Sequence, residues 1–290
     1  MKYLITGKNG QLGRAFVKRF EAEGVEYYSA GSAELDITDT DAVEEAIASV
    51  RPGVIINCAA YNLVDRAEQE PDAAERVNAS GPRILAAAAR KRGIMFVHYS
   101  SDYVFDGAKE SGLYTEADFT HPLNAYGRSK LSGEQLVRHE TDEYLIFRLS
   151  WVFGDGERNF IAKLLSWVRG SEYIKIACDE FSVPTYTESI VDVTLNALRQ
   201  GVRGLYHLTG SGFCSRYEWT KIILSAAGIE KFVRPVSMDS FRLAARRPKF
   251  SAMSNEAIAR ILGITIPHWE DSTRRFMASG AGILKPAVRR

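Results

Sequence analysis

Tyr126 and Lys130 are residues whose types and spacing can support chemistry. An i, i+4 spacing places a phenol and an ammonium group on the same face of a helix. A free tyrosine has a pKa near ~10, and a neighbouring cation favours the phenolate. Such a pair suits proton transfer to a carbonyl oxygen whose carbon receives hydride. Tyr217 and Lys221 have the same spacing but lie beside a Ser-x-x-Glu capping box, so we assign that pair to packing.

Ser101 places a hydroxyl upstream of this pair. It follows the apolar run 96–100, which is typical of a buried strand. Open α/β sheets hold their ligands at the carboxyl ends of the strands. The sequence therefore predicts that Ser101 bonds a substrate carbonyl close to Tyr126 and Lys130, and these three residues are the candidate catalytic group.

A glycine-rich turn separates the first apolar run from the first amphipathic one. In this strand–turn–helix context a dinucleotide fingerprint uses Gly7 for the tight turn, Gly10 for backbone approach to pyrophosphate and Gly13 for close helix packing. The spacing is G-x-x-G-x-x-G rather than G-x-G-x-x-G, and the alternative is a turn without a ligand. The candidate cofactor-binding residues here are Gly7, Gly10, Gln11, Leu12 and Gly13.

The end of the second predicted strand bears on which nicotinamide cofactor binds. An acidic residue about 20 positions after the turn usually bonds a ribose 2′-hydroxyl, whereas residues 29–32 are small and neutral. A 2′-phosphate would meet no carboxylate there, and Lys8 or Arg14 could reach it. The sequence favours NADPH, with NADH as the alternative. The alternative interpretation is that Lys8 and Arg14 are ordinary solvated surface residues.

Composition limits the classes of protein to which the chain can belong. Its 290 residues carry a net charge of +1 and are 46% hydrophobic, which is typical of a soluble globular protein and excludes extensive disorder. Three widely spaced cysteines form neither a disulfide framework nor a metal motif. No apolar run suits a signal peptide or a membrane span. We expect a cytoplasmic protein that binds neither nucleic acid nor membrane.

Short apolar runs alternate with amphipathic segments over the first half of the chain. Strands are predicted at 3–6, 25–29, 54–58, 94–100 and 144–149, and helices at about 14–23, 39–50, 72–91 and 124–140. This alternation predicts an α/β fold with a Rossmann-like, doubly wound parallel sheet. We predict a dinucleotide-binding domain at 1–150 and a smaller α/β substrate-binding domain at 151–278, some of whose segments return to the first domain. Residues 279–290 are expected to form a mobile tail.

Several motifs together resemble the dTDP-4-dehydrorhamnose reductase family of the extended short-chain dehydrogenase/reductase superfamily. They are Leu35-Asp36-Ile37-Thr38-Asp39, Asn57-Cys58-Ala59-Ala60-Tyr61, Val64-Asp65-Arg66-Ala67-Glu68, Ser101-Asp102-Tyr103-Val104-Phe105-Asp106-Gly107 and Pro122-Leu123-Asn124-Ala125-Tyr126-Gly127. The resemblance implies reduction of the C4 ketone of a nucleotide-linked 4-keto-6-deoxy sugar, most specifically dTDP-4-dehydro-L-rhamnose. Tyr126 would protonate the ketone oxygen, and Lys130 would bond the nicotinamide ribose and lower the tyrosine pKa. Ser101 stands where the family usually has threonine.

The resemblance also implies roles for other residues. Asp36 and Ile37 would meet the adenine, although Asp36 could instead cap a helix, as could Asp39. Further cofactor contacts are implied for Ala59, Ala60 and Tyr61, and sugar contacts for Asp102, Tyr103, Trp151 and Arg247. The alternative to a sugar contact for Trp151 is that its side chain only covers the apolar core at a strand end.

One departure from the family concerns metal binding. Some members carry an acidic residue after the glycine turn that helps bind Mg²⁺ at a dimer interface, whereas this chain has Arg14-Ala15-Phe16. We therefore predict no metal, and a monomer or a homodimer remains open.

Related activities are distinguished by single residues. A 4,6-dehydratase needs an Asp-Glu pair where this chain has Asp102-Tyr103, and an epimerase/reductase of the GDP-fucose synthase type needs an additional cysteine and histidine. Two alternatives stay open. One is another nucleotide-sugar 4-ketoreductase. The other is a non-catalytic NADP-binding subunit like the regulatory subunit of methionine adenosyltransferase.

Overall fold

The computed structural model describes residues 1–280, and residues 281–290 lie outside it. In chain order the strands and helices are β1 Tyr3–Thr6, α1 Gln11–Glu23, β2 Tyr27–Ala30, α2 Thr40–Val50, β3 Val54–Asn57, α3 Val64–Ala67, α4 Pro71–Glu75, α5 Gly81–Arg90, β4 Met95–Ser101, α6 Ala125–Glu140, β5 Tyr144–Leu149, β6 Val152–Phe153, α7 Phe160–Gly170, β7 Tyr173–Ala177, β8 Phe181–Ser182, β9 Thr185–Tyr186, α8 Thr187–Arg199, β10 Gly204–His207, β11 Cys214–Ser215, α9 Arg216–Ala226, β12 Phe232–Val236, α10 Glu256–Leu262 and α11 Trp269–Ala278.

Six strands form one parallel sheet in the order β10-β5-β4-β3-β1-β2. The chain runs outward from β1 to β2 and then crosses back to β3 on the other side of β1. The carboxyl ends of β1 and β3 therefore form a topological switch point, which is where doubly wound sheets bind ligands. This confirms the predicted α/β fold with a Rossmann-like parallel sheet.

Helices cover both faces of the sheet, as the nearly continuous apolar strands require. On one face Phe16 and Phe20 of α1 pack with Phe147 and with Val191 of α8. On the other face Leu85 of α5 joins a second cluster whose remaining members include Leu4, Ile55, Phe96, Val137 and Ile146. Burial on two sides fixes the strand register and so fixes which residues follow each strand end.

A third apolar cluster is built only from residues after position 150. Its centre is Trp219, whose ring lies tilted 5.5 Å from that of Phe153, and Phe153 in turn meets Phe276 edge-on. These residues lie within a layer made by α7, α9, α11 and the short strand pairs β7–β12 and β6–β9. Helix α9 starts with the predicted capping box, in which Ser215 and Glu218 cap each other's backbone N–H. Strand β10 and helix α8 join the main sheet and its core instead. The domain division at residue 150 remains a prediction.

Two of the longer helical segments differ from the sequence expectations. The segment predicted as one helix at 72–91 is interrupted by a π-helical turn at Arg76–Ser80. Pro82 has no N–H to donate to the carbonyl of Asn78, so the α-helical ladder cannot continue through that position. Helix α8 was not predicted. Of the expected tail 279–290, only Ser279 and Gly280 are described, and Ser279 ends α11.

Candidate active site

The glycine turn lies at the switch point of the sheet. Gly7 has φ +71°, and a Cβ there would lie 2.5 Å from the Ala59 nitrogen, so the turn packs directly on the end of β3. A Cβ on Gly13 would lie 2.4 Å from the Gly7 oxygen. Both glycines are therefore required for close backbone packing, whatever ligand is bound.

Gly10 is different, because its own packing does not require a glycine. A Cβ there would meet only the Gly7 oxygen, at 3.3 Å, and the residue is exposed. It is the N-cap of α1 and has no side chain with which to cap the helix. The first N–H groups of α1, from Gln11 onward, thus lie without a side-chain cap from Gly10 at the positive end of the helix dipole. This arrangement fits a pyrophosphate.

The two cations near this turn are already paired. Lys8 Nζ lies 2.7 Å from a carboxylate oxygen of Glu34. Arg14 donates to the backbone oxygens of Asn9 and Asp155, at 2.9 and 2.7 Å. Glu34 also accepts the N–H of Gly31, so a carboxylate lies at the end of β2, where sequence reasoning expected only small neutral residues. That expectation was wrong because Glu34 folds back three residues to reach the strand end.

Asp36 and Ile37 follow β2 in different environments. Asp36 is exposed and accepts two hydrogen bonds from Thr38, at 2.9 Å from its nitrogen and 2.8 Å from its hydroxyl. Ile37 is buried in the core and touches Gly81 closely. The helix cap is Asp39, which accepts the N–H groups of Asp41 and Ala42 at the start of α2. An adenine contact for Asp36 and Ile37 stays a prediction.

The segment Ala59–Tyr61 after β3 is held by two asparagines. Asn57 accepts the Ala59 N–H at 3.1 Å, and Asn78 accepts the Tyr61 N–H at 2.8 Å. Asn78 also donates to the Tyr61 oxygen and to Ser129 on α6, both at 3.0 Å. Sequence reasoning missed Asn78. The signal that could have found it is Pro82, which forces the π-helical turn in which Asn78 lies.

Helix α6 brings Tyr126 and Lys130 to the end of β4. Asn124 caps the helix by accepting the Gly127 N–H at 2.7 Å. A Cβ on Gly127 would lie 2.2 Å from the Tyr103 oxygen, so only glycine lets the helix approach the strand end this closely. The structure thus brings the candidate catalytic residues Ser101, Tyr126 and Lys130 to one strand end.

The electrostatics of Tyr126 differ from the sequence expectation. Burial raises the pKa of Tyr126 to about 12, and the group that opposes this rise is the Ser101 hydroxyl. Lys130 Nζ donates to the backbone oxygen of Tyr99 at 2.6 Å, and burial lowers its pKa to about 8. The ammonium is therefore directed at the strand end, and Ser101 rather than Lys130 lowers the tyrosine pKa in this geometry.

Asp102 and Tyr103 lie directly behind Ser101, and both are buried. The Asp102 carboxylate accepts hydrogen bonds from Ser101, Ser182 and Ser251. The Tyr103 ring meets the Tyr126 ring edge-on, with centroids 5.8 Å apart. Tyr103 therefore borders the tyrosine directly, whereas the Asp102 oxygens point into a serine cluster.

Trp151 and Arg247 are each held by a distant partner. Trp151 has φ +36°, stacks on Trp219 at 5.7 Å and carries the Arg216 guanidinium 3.5 Å above its ring. Its Nε1 is buried without a hydrogen-bond partner among residues 1–280. Arg247 forms a two-point ion pair with Asp65, at 3.0 and 2.7 Å. Stacking on Trp219 agrees with the alternative that the Trp151 side chain covers the apolar core, and sugar contacts for both residues stay predictions.

Residues 1–280 contain neither a cluster of side chains suited to a metal ion nor a helix suited to crossing a membrane. No group of three or more His, Cys, Asp or Glu side chains is arranged to hold a metal ion in residues 1–280. Over the same range, every helix is too short or too polar to cross a membrane.

The parallel sheet, the glycine turn at its switch point and the Ser–Tyr–Lys group define an extended short-chain dehydrogenase/reductase. Solved members of this fold include the Thermus thermophilus UDP-glucose 4-epimerase, which is 18% identical with a TM-score of 0.83, a likeness of fold alone. The family described as RmlD substrate binding domain matches residues 1–281. The chain belongs to this family of dTDP-4-dehydrorhamnose reductases, which are NAD(P)H-dependent oxidoreductases.

Individual relatives agree over nearly the whole chain. The dTDP-4-dehydrorhamnose reductase of Burkholderia thailandensis is 36% identical, covering 93% of this chain and 95% of its own. The crystal structure of a dTDP-4-dehydrorhamnose reductase from Clostridium acetobutylicum has a TM-score of 0.93 at 36% identity, covering 96% of this chain and 99% of that one. The enzyme from Bacillus anthracis, solved in complex with NADP, has a TM-score of 0.92 at 35% identity, with the same coverage.

Proposed function

We propose that this protein uses NADPH to reduce the C4 ketone of a nucleotide-linked 4-keto-6-deoxy sugar, with dTDP-4-dehydro-L-rhamnose as substrate and dTDP-L-rhamnose as product. The observation that carries the proposal is the meeting of Ser101, Tyr126 and Lys130 at the end of β4, beside the switch point of the sheet. Relatives that share the fold and a third of the sequence carry the name of this activity.

The cofactor side of the proposal rests on the glycine turn. When bound, a reduced nicotinamide cofactor supplies the hydride that the ketone carbon accepts. The N–H groups at the start of α1 would hold its pyrophosphate, and Gly10 leaves the space for it. Asp36 and Ile37 would border the adenine, and Ala59, Ala60 and Tyr61 would line the cofactor past the end of β3. The relative solved with NADP favours NADPH over NADH.

The chemical step divides between three side chains. Ser101 donates a hydrogen bond to the ketone oxygen and so polarises the carbonyl. Tyr126 transfers its phenolic proton to that oxygen as negative charge develops. Lys130 would bond the nicotinamide ribose. The raised pKa of Tyr126 keeps the phenol protonated and ready to donate until the sugar binds.

The sugar and nucleotide would lie against the residues after position 150. Tyr103 and Trp151 would flank the hexose, and Arg247, held by Asp65, would lie near the nucleotide. In this arrangement residues 1–150 bind the cofactor and supply Ser101, Tyr103 and Tyr126 to the sugar, and the later segments, apart from α8 and β10, bind the rest of the substrate.

The test is oxidation of NADPH with a panel of 4-keto-6-deoxy sugars linked to dTDP, CDP, GDP or UDP. We expect turnover with the dTDP sugar, and an NMR assignment of the C4 configuration identifies the product as the rhamnose isomer. Turnover with another nucleotide alone would support the alternative 4-ketoreductase. Absence of turnover together with intact NADPH binding would support a non-catalytic binding subunit instead.

A further inference from the structure

Asp102 is a carboxylate that lies 3% exposed beside the proposed catalytic serine. Its Oδ1 accepts a hydrogen bond from Ser101 at 3.1 Å. Its Oδ2 accepts one from Ser182 at 2.9 Å and one from Ser251 at 2.6 Å. Three hydroxyls from three separate segments of the chain thus converge on one buried acid.

Other charged and titratable groups also face this acid. Arg216 on α9 favours its ionised form, and the ionised carboxylate in turn raises the pKa values of Tyr126 and Tyr103. Among the groups that act on neighbouring Tyr103, Glu180 raises its pKa and Arg247 lowers it. Burial raises the pKa of Asp102 to about 6, against the opposing effect of the three hydroxyls and Arg216. The acid therefore takes up a proton at a higher pH than an ordinary aspartate does.

The hydrogen bond from Ser101 matters because a serine hydroxyl carries one hydrogen only. In this structure that hydrogen is directed at Asp102, while Ser101 Oγ accepts the Tyr103 N–H at 3.2 Å. A hydroxyl that donates to Asp102 cannot at the same time donate to a ketone, nor to the Tyr126 oxygen, whose pKa it lowers when it does so. A protonated Asp102 can itself donate to Ser101 Oγ, which leaves the serine hydrogen for the substrate.

We propose that Asp102 is a positioning residue that sets the direction of the Ser101 hydrogen: ionised, it retains that hydrogen, and protonated, it releases it to the ketone oxygen. This inference rests on the proposed function, in which Ser101 bonds the ketone. The hydroxyls of Ser182 and Ser251, which come from outside the main sheet, stabilise the ionised state.

For the wild-type enzyme we expect kcat/KM for the sugar to fall as the pH rises through the Asp102 transition. The profile of kcat/KM reports groups of the free enzyme. Lys130, with a pKa lowered to about 8, titrates on the alkaline side of this transition, so the two steps are separable.

Asp102→Asn tests the direction of the hydrogen. Two serines donate to Oδ2, so the amide oxygen should take that position and the amide nitrogen should face Ser101 as a donor. The variant then imitates the protonated acid at every pH. We expect the transition near 6 to disappear, with kcat/KM on its alkaline side at least as high as in the wild type.

Ser251→Ala and Ser182→Ala test the link to the hydroxyls. Each removes one donor to the ionised form, and a hydrogen bond to a charged group supports a shift of about one pH unit upward in the transition. Ser150→Ala is the matched control, because buried Ser150 donates to the Val183 oxygen at 2.6 Å rather than to Asp102. It should leave the midpoint unchanged.

The outcomes separate the two claims. An upward shift in either serine variant, with loss of the transition in Asp102→Asn, supports the assignment. A purely structural Asp102 would lower kcat/KM equally at all pH values and leave the midpoint in place, which overturns it. If Ser251→Ala fails to fold, Ser182→Ala decides alone. A wild-type protein without turnover on the sugar panel overturns the proposed function itself, and this assignment with it.

Discussion

The cofactor side and the sugar side of the candidate site are built in different ways. The cofactor side consists of short segments that directly follow β1, β2 and β3, so neighbours along the chain are also neighbours at the site. The sugar side consists of side chains held by distant partners, as Asp102 is by Ser251 and Trp151 is by Arg216. Local sequence therefore specifies the first side, and tertiary packing specifies the second.

Tyr126 lies where the two sides meet, and its removal is expected to give the largest effect. Tyr126→Phe keeps the ring against Tyr103 but removes the proton that the ketone oxygen requires. We expect kcat to fall roughly 10²- to 10⁴-fold, the usual contribution of general acid catalysis. NADPH affinity, measured by fluorescence titration, should stay unchanged.

Tyr217→Phe is the matched control, because Tyr217 also precedes a lysine by four residues but packs against the third apolar cluster. It should keep wild-type kcat. Equal turnover in Tyr126→Phe and the wild type would refute the acid role.

The next effect tests the cofactor side alone. Gly10→Val fills the exposed space in front of α1, and within the protein its new Cβ makes one tight contact, with the Gly7 oxygen at 3.3 Å. We expect NADPH affinity to fall about 100-fold, or ~3 kcal/mol of binding free energy. The melting temperature should fall much less than that loss of affinity implies, because this is the single contact that the Cβ makes within 4 Å.

Gly170→Ala provides the control, as a Cβ on that residue meets nothing within 4 Å and lies far along the chain from the turn. Unchanged NADPH affinity in Gly10→Val would place the phosphate site elsewhere. That result would also remove the contrast between the two sides.

The contrast explains which features the sequence could predict. The strands, the glycine turn, and the approach of Ser101 to Tyr126 and Lys130 follow from hydrophobic periodicity and motif order, which are local properties. The Glu34–Lys8 pair, the serine cluster around Asp102 and the Arg247–Asp65 pair depend on how segments meet in space. The spacing of residues along the chain does not indicate such contacts. A prediction from sequence could therefore identify these residues as candidates for the site but could not identify their partners.

A substitution at Arg216 tests the sugar side, and its expected effect is smaller. The Arg216 guanidinium lies 3.5 Å from the centre of the Trp151 ring and pairs with Glu180, so it fixes the position of the indole. The backbone of Trp151 has φ +36°, a conformation that non-glycine residues seldom adopt. Arg216→Gln removes a cation–π contact worth about 1 kcal/mol, so the sugar KM should rise roughly fivefold. The KM for NADPH should stay constant in the same steady-state assay.

Arg275→Gln is the control, because Arg275 lies 6.0 Å from the Tyr186 ring and pairs with Glu188, away from Trp151. A rise in both KM values for Arg216→Gln would contradict the prediction, since it would show that the loss spreads to the cofactor side.

The smallest effect concerns the carboxylate that folding brings to the end of β2. Glu34 holds Lys8 and would repel a 2′-phosphate, and its pKa is lowered by the hydrogen bonds from Lys8 and Gly31, so it is ionised at neutral pH. Glu34→Gln removes the negative charge and frees Lys8. We expect the preference for NADPH over NADH, measured as the ratio of kcat/KM values, to rise about threefold, as suits an exposed pair.

The dependence on ionic strength and a matched variant show whether Glu34→Gln alters the cofactor preference through its charge or through a change in local structure. The gain in Glu34→Gln should shrink as ionic strength rises, because salt screens exposed charges beyond about one Debye length. Glu26→Gln, which removes an exposed carboxylate paired with Lys2 before β2, should leave the ratio unchanged. A fall in the NADPH preference of Glu34→Gln would mean that Glu34 orients Lys8 toward the phosphate. The end of β2 would then select its cofactor through a pair of residues that are distant in sequence. The cofactor side would in that case depend on tertiary packing, as the sugar side does.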